Sequence, residues 1–166
     1  MKMYSTKYFG EFCFNDDDDD TVIHSKIKVN FCNSSKDVLI LLNKNCKLSG
    51  KTDEFIKIID DYHNINKIGK NMIVNNYRNN GKIKEFIEKC YKELDKEILE
   101  KTFGTKEYNN INIEEIIESI DLFGLVFDYE NNEIQTFIMY ILMENIITMA
   151  INKEYKLIGE LEIYEK

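Results

Sequence analysis

Proline and tryptophan are absent from this 166-residue chain, and arginine, alanine and glutamine occur once each, as Arg78, Ala150 and Gln135. Histidine occurs twice, as His24 and His63, and glycine seven times. With no Pro and with its Gly scattered, the chain has no Pro/Gly/Ser-rich linker, and residues 1–166 are expected to form a single domain. The few Gly also exclude phosphate-binding loops. No Gly-x-Gly-x-x-Gly and no Gly-x-x-x-x-Gly-Lys-Ser/Thr occurs, and Gly69, Gly81, Gly104, Gly124 and Gly159 each stand alone. No run of about 18 apolar residues offers a membrane span, so no membrane partner is expected. The opening Met1 to Lys7 lacks the apolar stretch of a secretory signal, which points to the cytoplasm.

Four cysteines, Cys13, Cys32, Cys46 and Cys90, form no CxxC pair and read as free thiols of a reducing compartment. Cys13 and Cys32 can neighbour each other across paired strands, but neither histidine joins them at metal-site spacing. A hydrolytic triad needs a nucleophile, a histidine and an orienting acid. No Gly-x-Ser-x-Gly elbow is present, and Cys46 with His63 has no supporting signature. No catalytic residue, metal ligand or cofactor is expected. The missing residue types carry limited weight, because 25 Ile, 21 Lys and 19 Asn mark an AT-rich coding sequence in which Lys stands for Arg.

What the chain does contain is apolar and acidic. Hydrophobic residues make up 43% and aromatics 12%, far above a disordered composition. The net charge of −8 is unevenly spread. Residues 1–50 hold seven Lys and seven acids, and residues 51–106 hold twelve bases and ten acids. Residues 107–166 hold three Lys and thirteen acids. An acidic protein with one Arg is poorly suited to nucleic acid, whose phosphates need a positive surface. A basic protein partner is the natural complement.

Three blocks follow along the chain. In the first, Phe9-Gly10-Glu11-Phe12-Cys13-Phe14 alternates as a strand, and Asn15 with Asp16 to Asp20 interrupts it. Residues 22–31 then place Ile23, Ser25, Ile27, Val29 and Phe31 on one face of a half-buried strand. Val38 to Leu42 reads equally as a buried strand or a helix start. The acidic run fails as a calcium loop. Counted from Asp16, the sixth and twelfth positions are Thr21 and Ile27 rather than Gly and Glu. It is expected to be a solvated loop tip.

The middle block is helical. Thr52 is placed as an N-cap with Asp53 and Glu54 behind it, and Phe55, Ile58, Ile59, Tyr62 and Ile65 recur at helical spacing. A second segment through Ile68, Met72, Ile73 and Tyr77 stops at Asn79-Asn80-Gly81. A third helix is expected from Lys82 to Glu100, with Ile83, Phe86, Ile87, Cys90, Leu94 and Ile98 as its apolar stripe.

The last block opens with Asn112-Ile113-Glu114-Glu115, which resembles a capping box for a short helix to Ser119. Four apolar stretches follow, 122–129, 134–142, 146–151 and 157–164, separated by short polar turns as in an antiparallel meander. The second is apolar on both faces and is expected to be central and covered on both sides. The fourth alternates with acids and is expected at a sheet edge. The fold class is therefore α+β. It should be an antiparallel sheet of about six strands from both chain ends, with two to three central helices on one face. Partner contacts are expected from the acids of this last block: Asp128, Glu130, Glu133, Glu144, Glu160 and Glu162. No pair among them stands out as a catalytic acid and base.

The Phe9–Phe14 opening, the acidic turn, the strand ending Val29-Asn30-Phe31, the helical middle and the closing hairpin from Ile146 to Ile163 together form a recognisable order. In that order the chain resembles a bacterial domain-of-unknown-function family of small α+β proteins found among polymorphic-toxin immunity proteins. The resemblance implies a non-enzymatic binding protein that neutralises a basic toxin domain, with no catalytic residue to carry over. The alternatives are a housekeeping interaction or scaffold domain and an enzyme with an unrecognised site.

Overall fold

The computed structural model describes residues 2–14, 20–31 and 34–165, at 24–31 and 34–36 by backbone alone. The fold is α+β: a six-stranded mixed sheet, a separate two-stranded sheet and six helices among the described residues. The short sheet pairs β1 (Tyr4–Thr6) with β2 (Gly10–Phe12). The main sheet runs in sequence order through β3 (Thr21–Phe31), β4 (Ser34–Leu42), β5 (Leu122–Glu130), β6 (Glu133–Leu142), β7 (Asn145–Asn152) and β8 (Leu157–Tyr164). Between β4 and β5 lie α1 (Lys44–Leu48), α2 (Thr52–Asp60), α3 (Tyr62–Arg78), α4 (Lys82–Glu93), α5 (Lys96–Phe103) and α6 (Ile113–Ser119).

Two expectations about the sheet are corrected. It is mixed rather than antiparallel, because β4 and β5 run parallel, with Ile40 opposite Leu125 and Leu42 opposite Phe127. The connection permits it: all six helices are threaded between these strands, and parallel neighbours need a long crossover rather than a tight turn. The Phe9–Phe14 segment does not enter the main sheet. Its Gly10–Phe12 part closes a hairpin on β1, where Phe9 packs edge-on against Tyr62 and the Lys7 amide donates to Asp60 Oδ1 at 2.6 Å. The acidic run from Asp16 lies outside the described residues up to Asp20, as does Cys32.

The meander of the last block has the expected strands. Its first turn, Asn131-Asn132, takes left-handed φ at both positions (52° and 65°), which asparagine accepts readily in a two-residue hairpin. The second, Met143-Glu144, takes the same conformation (53° and 66°) with residues that resist it. The Asn145 side-chain amide donates to the Met143 carbonyl at 2.8 Å and helps hold it.

The helices number six rather than two to three. Thr52 is the first residue of α2 and is buried, while Lys51 occupies the cap position without a side-chain bond. The α3 terminus behaves as its Asn79-Asn80-Gly81 signal implies. Asn76 Oδ1 accepts from the Ile83 amide at 2.9 Å and so ties α3 to α4. Asn112 caps α6 through Oδ1, which accepts from the Glu115 amide. The helix expected over 82–100 is two helices. Leu94 and Asp95 are extended (ψ 152° and 146°), and the chain bends so that Phe103 stacks on Tyr91 with ring centroids 5.4 Å apart.

One apolar core joins the hairpin, the helices and one face of the main sheet. On that face a continuous row crosses five strands, Ile23–Ile40–Leu125–Ile138–Met149, and every member is buried. Phe55 of α2 meets Phe127 edge-on, and Cys46 of α1 sits with Sγ 3.2 Å from the Phe127 carbonyl. The Tyr140 hydroxyl reaches α3 and donates to the Asn66 carbonyl at 2.8 Å, beneath Gly69.

Candidate binding surface

The acids expected to meet a partner do not form one cluster. Asp128, Glu130 and Glu133 lie at the end of the sheet where β5 turns into β6. Glu144 lies in the β6–β7 turn at the opposite end. Glu160 and Glu162 lie on the edge strand β8. The register sets Glu130 directly opposite Glu133, a like-charge pair that each side chain meets without an opposing base across the strand. Asp128 is half-buried and faces Gln135, and its Oδ1 accepts weakly from Asn45 at 3.4 Å.

The edge acids have an internal counterion. Lys82 of α4 reaches around β8 to Glu160 (3.1 Å) and Glu162 (3.0 Å). Both acids raise its pKa, mainly through the hydrogen bond to Glu162. Lys89 pairs with Glu165, Lys70 with Glu118, and Arg78 with Glu114. The slightly basic middle block is thus laid against the acidic last block. These pairs are largely exposed, and each is worth little in water.

Two open grooves flank the helical layer. One, of about 410 Å³, lies between α4 and β8 and is lined by Lys82, Phe86, Lys89, Glu162 and Ile163. The other, of about 320 Å³, runs along α3 past His63, Asn66, Lys67 and Lys70 to Glu118. His63 in that groove packs edge-on against Tyr8 and Tyr62. Cys46 is the buried residue of α1, with burial pushing its thiol up to about 12. No group of three or more His, Cys, Asp or Glu is placed to hold a metal ion among the described residues.

The feature that sequence reading missed is the second face of the main sheet. Its register places Val22, Leu41, Val126, Phe137, Ala150 and Ile158 in a row across all six strands. Val22 is 40% exposed, and the other five are half-buried. The neighbouring row contains Leu39, Gly124, Met139 and Thr148, and a third pairs Ile141 with Ile146. The expectation that 134–142 is covered on both sides is corrected. Ile134, Thr136, Ile138, Tyr140 and Leu142 are buried, whereas Phe137, Met139 and Ile141 are only half-buried. An apolar strand states what it repels, and it does not state what covers it. The signal was present in the apolar residues of both phases of 134–142, but their use as an open face depends on where the helices pack.

Among the described residues, no helix is long and apolar enough to cross a membrane. No family model, no curated protein and no solved structure matches the chain.

Proposed function

We propose that this chain is a non-enzymatic protein-binding module of the bacterial immunity type, acting in the cytoplasm to neutralise a basic toxin domain. The observation that carries this reading is the charge of the meander. Strands β5 to β8 contain Asp128, Glu130, Glu133, Glu160 and Glu162, and not one Lys or Arg. Such a surface accelerates encounter with a basic partner and rejects an acidic one. The resemblance in element order to immunity-associated proteins points the same way. The open shape of the two grooves suits contact with a broad surface better than enclosure of a small substrate.

The test is co-expression with the product of the neighbouring gene, followed by calorimetry. Complex formation is expected, with affinity falling about tenfold or more from low to high salt as the Debye length contracts. Charge reversal at Glu130→Lys and Glu133→Lys should slow association. No complex at low salt would overturn the reading, and an affinity indifferent to salt would remove its electrostatic basis.

A further inference from the structure

We infer that the helix-free face of the main sheet is a docking surface for a polypeptide whose apolar side chains are flanked by lysine or arginine. This rests on the protein-binding reading above, and it adds the surface, the mode of contact and the chemistry of the occupant.

The centre of the face is apolar. The row from Val22 to Ile158 lies beside Leu39, Met139, Ile141 and Ile146, and apart from the exposed Val22 these side chains are half-buried. Among the described residues, the partly buried apolar groups that pack on the core come from elsewhere: the hairpin, the helices and the strand ends. Contiguous apolar area of this kind, rimmed by polar groups, is the mark of an interaction surface.

The rim identifies the occupant. Asp128 shares this face with Gln135 and Asn152, and the opposed Glu130 and Glu133 lie just beyond. Glu162 pairs with Thr148 on the β8 side. Strands β5 to β8 carry no Lys or Arg of their own, and of these acids Glu162 is bound to Lys82 of α4 at 3.0 Å. In the β7–β8 turn Lys156 is bound to Glu154 at 3.0 Å, and Lys153 lines a hollow with Glu133. A second copy stacked with the β5–β6 ends together would bring Asp128, Glu130 and Glu133 against acids, and anionic lipid would be repelled at that end. A cationic apolar surface satisfies both the centre and the rim.

At the β8 edge the contact is face-on rather than by strand addition. The outer edge of β8 is irregular: its register jumps between Thr148 and Ala150, Gly159 takes a left-handed φ of 73°, and Lys82 crosses it. Such an edge resists a further strand.

The test uses the full chain with isoleucine methyls labelled for NMR, and three synthetic probes. These are a helical Leu/Lys amphipathic peptide, its Leu/Glu counterpart and a Ser/Lys peptide without apolar residues. The Leu/Lys peptide should shift the methyls of Ile141, Ile146 and Ile158 while leaving Ile59 and Ile65 still. The Leu/Glu and Ser/Lys peptides should bind at least about tenfold more weakly. Phe137→Thr and Ile141→Thr, which suit a solvated strand, should each weaken Leu/Lys binding severalfold with an unchanged methyl spectrum elsewhere. Shifts confined to the helical side, equal binding of the Leu/Glu peptide, or self-association of the chain through this face would overturn the inference. With the neighbouring-gene product as ligand, the two readings separate. If Glu130→Lys and Glu133→Lys weaken the complex while Phe137→Thr does not, the docking face falls and the acidic binding reading stands. If no complex forms, that reading falls, and the peptide titration decides the face alone.

Discussion

At the scale of single residues, Gly69 and Tyr140 make one device. Glycine inside a helix costs about 1 kcal/mol relative to alanine, so α3 carries a local weakness at its seventeen-residue midsection. The reason lies across the core. A Cβ at Gly69 would sit 2.4 Å from the Tyr140 hydroxyl oxygen and 3.0 Å from its ring. The close approach lets that hydroxyl donate to the Asn66 carbonyl, which satisfies a polar group in a fully buried position. Gly69→Ala is therefore expected to destabilise by about 1–3 kcal/mol, against its helix propensity. Tyr140→Phe should cost about 1–2 kcal/mol for the lost hydrogen bond. In the double variant the costs should fall short of their sum, since the closest clashing atom is gone. Urea melts of the four proteins measure this, and a more stable Gly69→Ala would show that the contact does not constrain the helix.

At the scale of elements, the break between α4 and α5 decides which side chains enter the core. In one continuous helix, Ile98 would follow Cys90 and Leu94 on the buried stripe, and Leu99 would point away. The extended pair Leu94-Asp95 shifts the phase. Leu99 is buried at 2% exposure, and Ile98 is left 44% exposed. Leu99→Ala should cost about 2–4 kcal/mol through the cavity it leaves. Ile98→Lys should change stability by about 0.5 kcal/mol or less. Thermal melts of the two variants test the break directly, and the reverse order of costs would refute it. The apolar stripe from Ile83 to Leu94 was legible because periodicity reports the buried side of a helix. The break was not, because the apolar spacing of Cys90, Leu94 and Ile98 runs on across it, and its one local sign is Asp95 at the N-cap position of α5. The four strands of the meander were legible to within one or two residues, since polar turns bound each of them. The partner of Val38–Leu42 was not. A short apolar run is compatible with any neighbour, and its parallel pairing with β5 is permitted by the helices between them.

At the scale of the whole molecule, three buried protonated groups couple stability to pH. Burial pushes the Cys46 thiol and the Tyr62 phenol up to about 12, and the Tyr140 phenol higher still. The unfolded chain releases these protons near the ordinary values of 9.0 and 10.0. Above that range the unfolded state holds fewer protons than the native state. Stability is then present in full below pH about 9, and each group removes about 1.4 kcal/mol per pH unit only between its unfolded and its native value. Urea melts at neutral, mildly alkaline and strongly alkaline pH should show a monotonic fall, and an unchanged midpoint would contradict the burial of these groups. The acids of the candidate surface were legible as exposed acids, because Glu and Asp in strand turns and on an alternating edge strand face water. Their dispersal to two ends and one edge was not legible, since it depends on strand order.

That strand order has a kinetic consequence. Four of the five joints in the main sheet connect strands adjacent in sequence, and the meander from β5 to β8 is zipped by short turns. The β4–β5 joint alone must close over residues 43–121. Closing a loop of that length carries the largest chain-entropy cost of any pairing in the sheet, and long-range parallel pairing is intrinsically slow. The molecule therefore has two halves of unequal folding difficulty: a C-terminal meander whose contacts are nearly all local, and an N-terminal pair of strands that can dock on it only when the helices have brought them home.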